Sequence, residues 1–141
     1  MPAGVVLFRA LLVASVVIGL IGSFIDVVFP SLIPEPVNKA FEALPDAPMP
    51  AMMIAGLLVI VTFGGTIAAI VGLYFFQPWS RSLAVAMTLL TLLFYPLMGA
   101  SVQSGWAALF LEISTTLWGA IVAISYVSSL SARFEGKVAE P

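Results

Sequence analysis

AMMIAGLLVIVTFGGTIAAIVGLYFF, residues 51–76, runs for twenty-six residues without a charge. A helix that crosses a hydrocarbon core of about 30 Å needs roughly 20 mostly apolar residues, at about 1.5 Å of rise each. This stretch meets that length with room for tilt. Three further apolar runs flank it, at about 4–29, 82–100 and 105–130, and a polar tail follows at 131–141. The reading is one domain over residues 1–141. It is an all-α, integral-membrane bundle of four antiparallel transmembrane helices, with a short amphipathic helix in the first loop.

Composition agrees. Hydrophobic residues make up 62% of the chain and charged residues 9%, where soluble domains carry about 25% charged residues. A soluble fold of this size could not cover its surface with so few charges. Net charge is −2 and the five basic residues are scattered. That excludes nucleic acid, which needs clustered cations against its phosphates. There is no Cys and no His, so thiol chemistry, Cys/His zinc sites and His- or Cys-held haem are excluded. No cofactor is expected. Proton chemistry would fall to carboxylates, Tyr or Lys. The first run is read as a retained span rather than a secretory signal. Arg9 interrupts it, it exceeds the usual core of about 7–15 residues, and no A-x-A site follows.

Proline punctuates the chain. Pro30 closes the first run, and Pro34, Pro36, Pro45, Pro48 and Pro50 crowd the only sizeable loop. Within that loop Val37, Phe41 and Leu44 recur at helical spacing, with Pro36 suited to a first turn. A short helix there would lie at the headgroup level, cap the bundle or bind a partner. Gln77–Arg81, broken by Pro78, is read as a tight turn with Trp79 and Arg81 at the interface. Pro96 is expected to kink the end of the third span, and Ser101–Gly105 to form a second turn. There is no internal repeat.

Basic residues near span ends set topology. Arg9, Arg81, Arg133 and Lys137 fall on one side of a four-span plan, and Lys39 alone on the other. Both termini are therefore expected in the cytoplasm, with the protein in a bacterial inner membrane. Arg9 is read as snorkelling to the headgroups.

In lipid, helices associate through close packing and polar contacts. Small residues mark a stripe on each span. They are Ser15, Gly19, Gly22 and Ser23, running on to Asp26, in the first, and Gly64, Ala68 and Gly72, beside Gly65 and Ala69, in the second. The third has Ala84, Thr88, Thr91 and Tyr95. The fourth has Gly105, Ala108, Glu112, Thr115, Thr116, Gly119 and Ala123. All four stripes are expected to face a common interior. Gly19, Gly22, Gly64, Ala68, Gly72 and Gly119 are the packing positions.

Asp26 and Glu112 are the candidate functional residues, because a charge within a span costs roughly 2.5–3.5 kcal/mol and usually faces the interior. Tyr95, Gln103, Thr115 and Thr116 share their depth range. Together they could share a proton, hold a cation or bind a small polar ligand. The bland alternative makes Glu112 a hydrogen-bonded structural group and Asp26 a helix cap near water. Trp106 reads as an interface anchor and Trp118 as lipid-facing bulk. Met49, Met52 and Met53 lack the His or Cys that would support copper ligation. Ser114 and Ser125 have no base partner, and no Gly-rich phosphate loop occurs. The expected function is a non-enzymatic accessory or interaction subunit of the inner membrane. Its partners are the bilayer and another membrane protein or a second copy of itself. A small oligomeric transporter or channel using Asp26 and Glu112 is the alternative.

Overall fold

The computed structural model describes residues 3–44, 48–95 and 101–136. Among the described residues six α-helices follow one another: α1 Ala3–Val28, α2 Glu35–Glu42, α3 Met49–Tyr74, α4 Pro78–Phe94, α5 Gly105–Val127 and α6 Ser131–Phe134. A 3-10 turn at Pro30–Leu32 follows α1. There is no strand among the described residues. Three helices, Ala3–Val28, Met52–Tyr74 and Gly105–Val127, are long and apolar enough to cross a membrane; α4, at 17 residues, is apolar but shorter.

The helices form where local chemistry favours them. Pro36 opens α2 and Lys39 reaches back one turn to Glu35 at 2.7 Å, so the short amphipathic helix in the first loop is present. Ser104 caps α5, its hydroxyl accepting from the Ala107 amide at 3.1 Å. Two boundaries depart from the sequence reading. Pro78 does not end a turn but occupies the first turn of α4, where its missing N–H costs nothing and its fixed φ is already helical. The third apolar helix therefore starts at Pro78 rather than at 82, and its described α-helical part is Pro78–Phe94. The expected kink at Pro96 lies outside the described residues. The fourth helix ends at Val127, and the start of the tail forms α6, whose Phe134 is fully buried.

The helices pack as two antiparallel pairs. In the first, α1 lies against α5 along its whole length. Gly4 faces Leu130, Gly19 faces Ser114, and Gly22 meets Phe110 and Leu111. At mid-length the two helices exchange hydrogen bonds: Ser114 Oγ donates to the Ser15 carbonyl at 2.9 Å and Ser15 Oγ to the Ser114 carbonyl at 3.3 Å. In the second pair, α3 and α4 form a hairpin. Met87 covers Gly65, and a Cβ added at Gly72 would sit 2.5 Å from Ser80 Cβ, so that turn closes only around glycine.

The two pairs join at the end where Ala3 and Phe134 lie. The buried core is concentrated there: Val5, Phe8 and Leu12 of α1, Ala69 and Leu73 of α3, Ala84 of α4, Ile121 of α5, and Leu130 and Phe134 beyond it. Further along, the pairs part, leaving between α1 and α3 an apolar groove of about 340 Å³ lined by Leu12, Val16, Ile70, Val71 and Tyr74 among others.

The stripes are only partly turned inward. Gly19, Gly22 and Gly72 lie close against neighbouring helices. Gly64 and Gly119 do not, since a Cβ at either would meet nothing within 4 Å. Ala68 is half-buried. On α5 the buried face carries Ala107, Ile121 and Ser125, with Ser114 against α1. Glu112, Thr115, Thr116, Gly119 and Ala123 are exposed. Two residues along a helix is a rotation of about 200°, so Ser114 facing inward sends Glu112 outward. The helix has two stripes of small and polar residues, and composition could not choose between them.

Candidate functional site

At the end of the bundle away from the termini, Asp26 completes the cap of α5. In a capping box, a Glu or Gln three residues into a helix reaches back to the amide of the capping residue. Here that position is Ala107, which has no such group. Asp26, arriving from the last turn of α1, supplies it: its Oδ2 accepts from the Ser104 amide at 2.8 Å. Its carboxylate thus lies against the positive end of α5, where negative charge is favoured. Oδ1 is buried and has no hydrogen-bond partner among the described residues.

The other candidate residues do not join it. Tyr95 is 69% exposed, and Gln103 is exposed beside the capped end. Glu112 starts a separate outward strip. It lies eight residues past Ser104, about 12 Å further along α5 at ~1.5 Å per residue. Among the described residues it has no hydrogen-bond or ion-pair partner. Thr115, on the same strip, returns its hydroxyl to the Leu111 carbonyl at 2.8 Å, the usual way a hydroxyl is satisfied without water. Asp26 and Glu112 are therefore two places and not one carboxylate pair. No group of three His, Cys, Asp or Glu among the described residues is arranged to hold a metal ion.

A third arrangement escaped the sequence reading. Arg9 of α1 donates Nε to the carbonyl of Tyr74, the last residue of α3, at 3.2 Å. Its guanidinium carbon lies 4.6 Å from the Tyr74 ring centre and 5.6 Å from that of Phe76. Arg81 of α4 does the same to α5. It donates to the Ser125 carbonyl at 3.2 Å, with its guanidinium 5.0 Å from the Tyr126 ring and 5.1 Å from Phe134. The last carbonyls of a helix lack intrahelical partners and carry its negative end. A guanidinium both fills that valence and stacks on an aromatic face. Each arginine thus closes the C-terminal end of a helix in the other pair.

Trp118 also differs from its reading. It is half-buried and donates Nε1 to Thr88 Oγ1 at 2.9 Å, tying α5 to α4. The rings that receive the arginines stand at other helix ends, Tyr74 and Phe76 at the end of α3 and Tyr126 and Phe134 at and beyond the end of α5, so the sequence around each arginine did not announce its role. No protein-family model, curated protein or solved structure matches this chain.

Proposed function

We propose that the protein is a small, non-enzymatic integral membrane protein that serves as an interaction subunit in a bacterial inner membrane. Its three long apolar helices and the shorter apolar α4 cross the bilayer, with both termini in the cytoplasm. The orientation rests on Arg9, Arg81, Arg133 and Lys137 lying on one side against Lys39 on the other, by the preference of basic residues for the cytoplasmic face. One observation carries the reading: an exposed carboxylate, Glu112, without a partner among the described residues, amid small residues on an otherwise apolar helix. In hydrocarbon such a group is costly, and small flanking residues let another helix approach it closely. A surface of that kind is made to be covered.

Transport through the interior has less support. Asp26 and Glu112 stand apart, and the groove between α1 and α3 is lined by apolar side chains. The test is twofold. Protein reconstituted in liposomes should conduct neither protons nor monovalent cations above the lipid background, and a photoreactive residue at position 116 or 119 in native membranes should link to protein. Lipid adducts alone, or a flux abolished by Glu112→Gln, would defeat the proposal.

A further inference from the structure

Between the two helix pairs the chain forms an arch. It leaves α1 at Val28, turns through Pro30–Leu32, forms α2 over Glu35–Glu42 and enters α3 at Met49. No residue of α2 is buried. Val37, Phe41 and Leu44, the last just beyond its end, are all exposed. Three large apolar side chains on one face of a short helix are thus left largely uncovered.

The order of residues around α2 indicates what covers them. With Val37 at zero, Phe41 falls at about 40° and Leu44 at about −20°, at 3.6 residues per turn. Glu35, Lys39 and Glu42 fall between about 140° and 200°, and the Glu35–Lys39 ion pair is well exposed. Asn38, at about 100°, separates the two faces and is the one residue of α2 that is partly covered. A helix lying in a membrane surface beside its own bundle needs this sequence around its axis. Protein is at one flank, hydrocarbon about a quarter turn to one side, and water to the other.

The neighbours supply the hydrocarbon. Phe24, Val27, Val28 and Phe29 at the end of α1, and Met49, Met52 and Met53 at the start of α3, are exposed as well. Both helices are long and apolar enough to cross a membrane. Six residues separate α2 from each of them, and six residues reach at most about 20 Å. Tethering at both ends makes insertion an intramolecular step, so three apolar side chains suffice where a free peptide of this length would stay in water. Charge narrows the choice of lipid. Two carboxylates and one ammonium give α2 no attraction to anionic headgroups, so apolar burial alone drives insertion.

We propose that α2 lies in the boundary between headgroups and acyl chains at the ends of α1 and α3 remote from Ala3 and Phe134. Val37, Phe41 and Leu44 enter the acyl region, and Glu35, Lys39 and Glu42 stay in water. This rests on the reading of α1 and α3 as membrane spans. The two helix pairs join at the opposite end, so lipid holds the strap that links them here.

The absence of cysteine makes the test direct. Single variants Val37→Cys, Lys39→Cys and Phe41→Cys are labelled with a polarity-sensitive fluorophore in phosphatidylcholine liposomes. Labels at 37 and 41 should be quenched by nitroxide lipids and severalfold less than the label at 39 by iodide present on both sides of the bilayer. Adding Phe41→Asp should expose the label at 37 to iodide, with unchanged helicity and elution as the check on folding. Including phosphatidylglycerol should alter none of this. Three results overturn the proposal: iodide reaching 37 and 41 as freely as 39, shielding of both from iodide and nitroxide lipid alike, as packing on the bundle would give, and shielding that needs anionic lipid. A label at Ile60→Cys, exposed on α3, should meet nitroxide lipid wherever α2 lies. If it does not, the span reading falls with the proposal; if it does while 37 and 41 remain in water, the proposal alone falls.

Discussion

Phe76 has a φ of +56°, and among the described residues no other non-glycine residue has a positive φ. It follows the end of α3, where the Gln77 amide returns to the Gly72 carbonyl at 2.8 Å and the Phe76 amide to Leu73 at 3.2 Å. This is a Schellman ending, and its left-handed position usually belongs to glycine. A side chain there costs about 1–2 kcal/mol. The ring offsets the cost by stacking 5.5 Å from Phe8 and 5.0 Å from Phe134. Two opposed terms give an ordered prediction. Phe76→Ala loses the ring and keeps the strain; Phe76→Gly loses the ring and sheds the strain. Both variants should be less stable than the parent in detergent unfolding, with glycine ahead of alanine by about 1 kcal/mol. Asp26 belongs to the same scale. Asp26→Ala should cost about 1 kcal/mol as a lost cap, measured the same way, and Asp26→Asn less because its amide oxygen still accepts. A cost for asparagine equal to that for alanine would mean the charge, and not the hydrogen bond, matters at α5.

Between elements, the arginines decide how the two pairs meet. Each ties its own helix to the end of a helix in the opposite pair, so Arg9 and Arg81 act in parallel across one junction. Each clamp joins a hydrogen bond from a charged donor, worth about 1.5–3 kcal/mol, to a cation–π contact of about 0.5–1 kcal/mol at an exposed site. Arg81→Gln should therefore lower stability by about 1–2 kcal/mol in detergent unfolding. Arg81→Lys should rescue little of this, since an ammonium offers no planar fork to bond and stack together. If lysine restores full stability, simple charge at the helix end suffices. The clamps also show what the sequence made legible. An arginine near a span end predicts depth, and Arg9 and Arg81 do lie near helix ends. Which carbonyl each one reaches depends on tertiary approach of residues 65 and 44 positions away, and no local pattern encodes that.

For the molecule as a whole, the long apolar helices were readable because hydrophobic length is a property of consecutive residues. The amphipathic α2 was readable because its spacing is local. The inward faces were not. On α1 a single stripe from Ser15 to Gly22 left one choice, and the structure follows it. On α5 the buried Ser114–Ser125 face and the exposed Glu112–Ala123 face are alike in size and polarity, and only the partner helix distinguishes them. The candidate site divided for the same reason: Asp26 and Glu112 had been joined by placing both on inward faces. The topology proposed for the membrane is open to one direct measurement. Reporter fusions after residue 136 and within 38–44 should give opposite signals, the first cytoplasmic and the second periplasmic. Equal signals would contradict the alternation of the four helices across the bilayer.

The pairing of α1 with α5 also has a consequence in time. Ser15 and Ser114 are 99 residues apart in the chain, and a ribosome adds about 5–20 residues each second. α1 therefore waits roughly 5–20 s for its mate, at that rate, while the α3–α4 hairpin can close as soon as it is made. During that interval the glycines and Ser15 of α1 lie uncovered by α5 and open to any neighbouring helix. Assembly of this fold is thus a race between the chain's own α5 and whatever else is present to occupy α1.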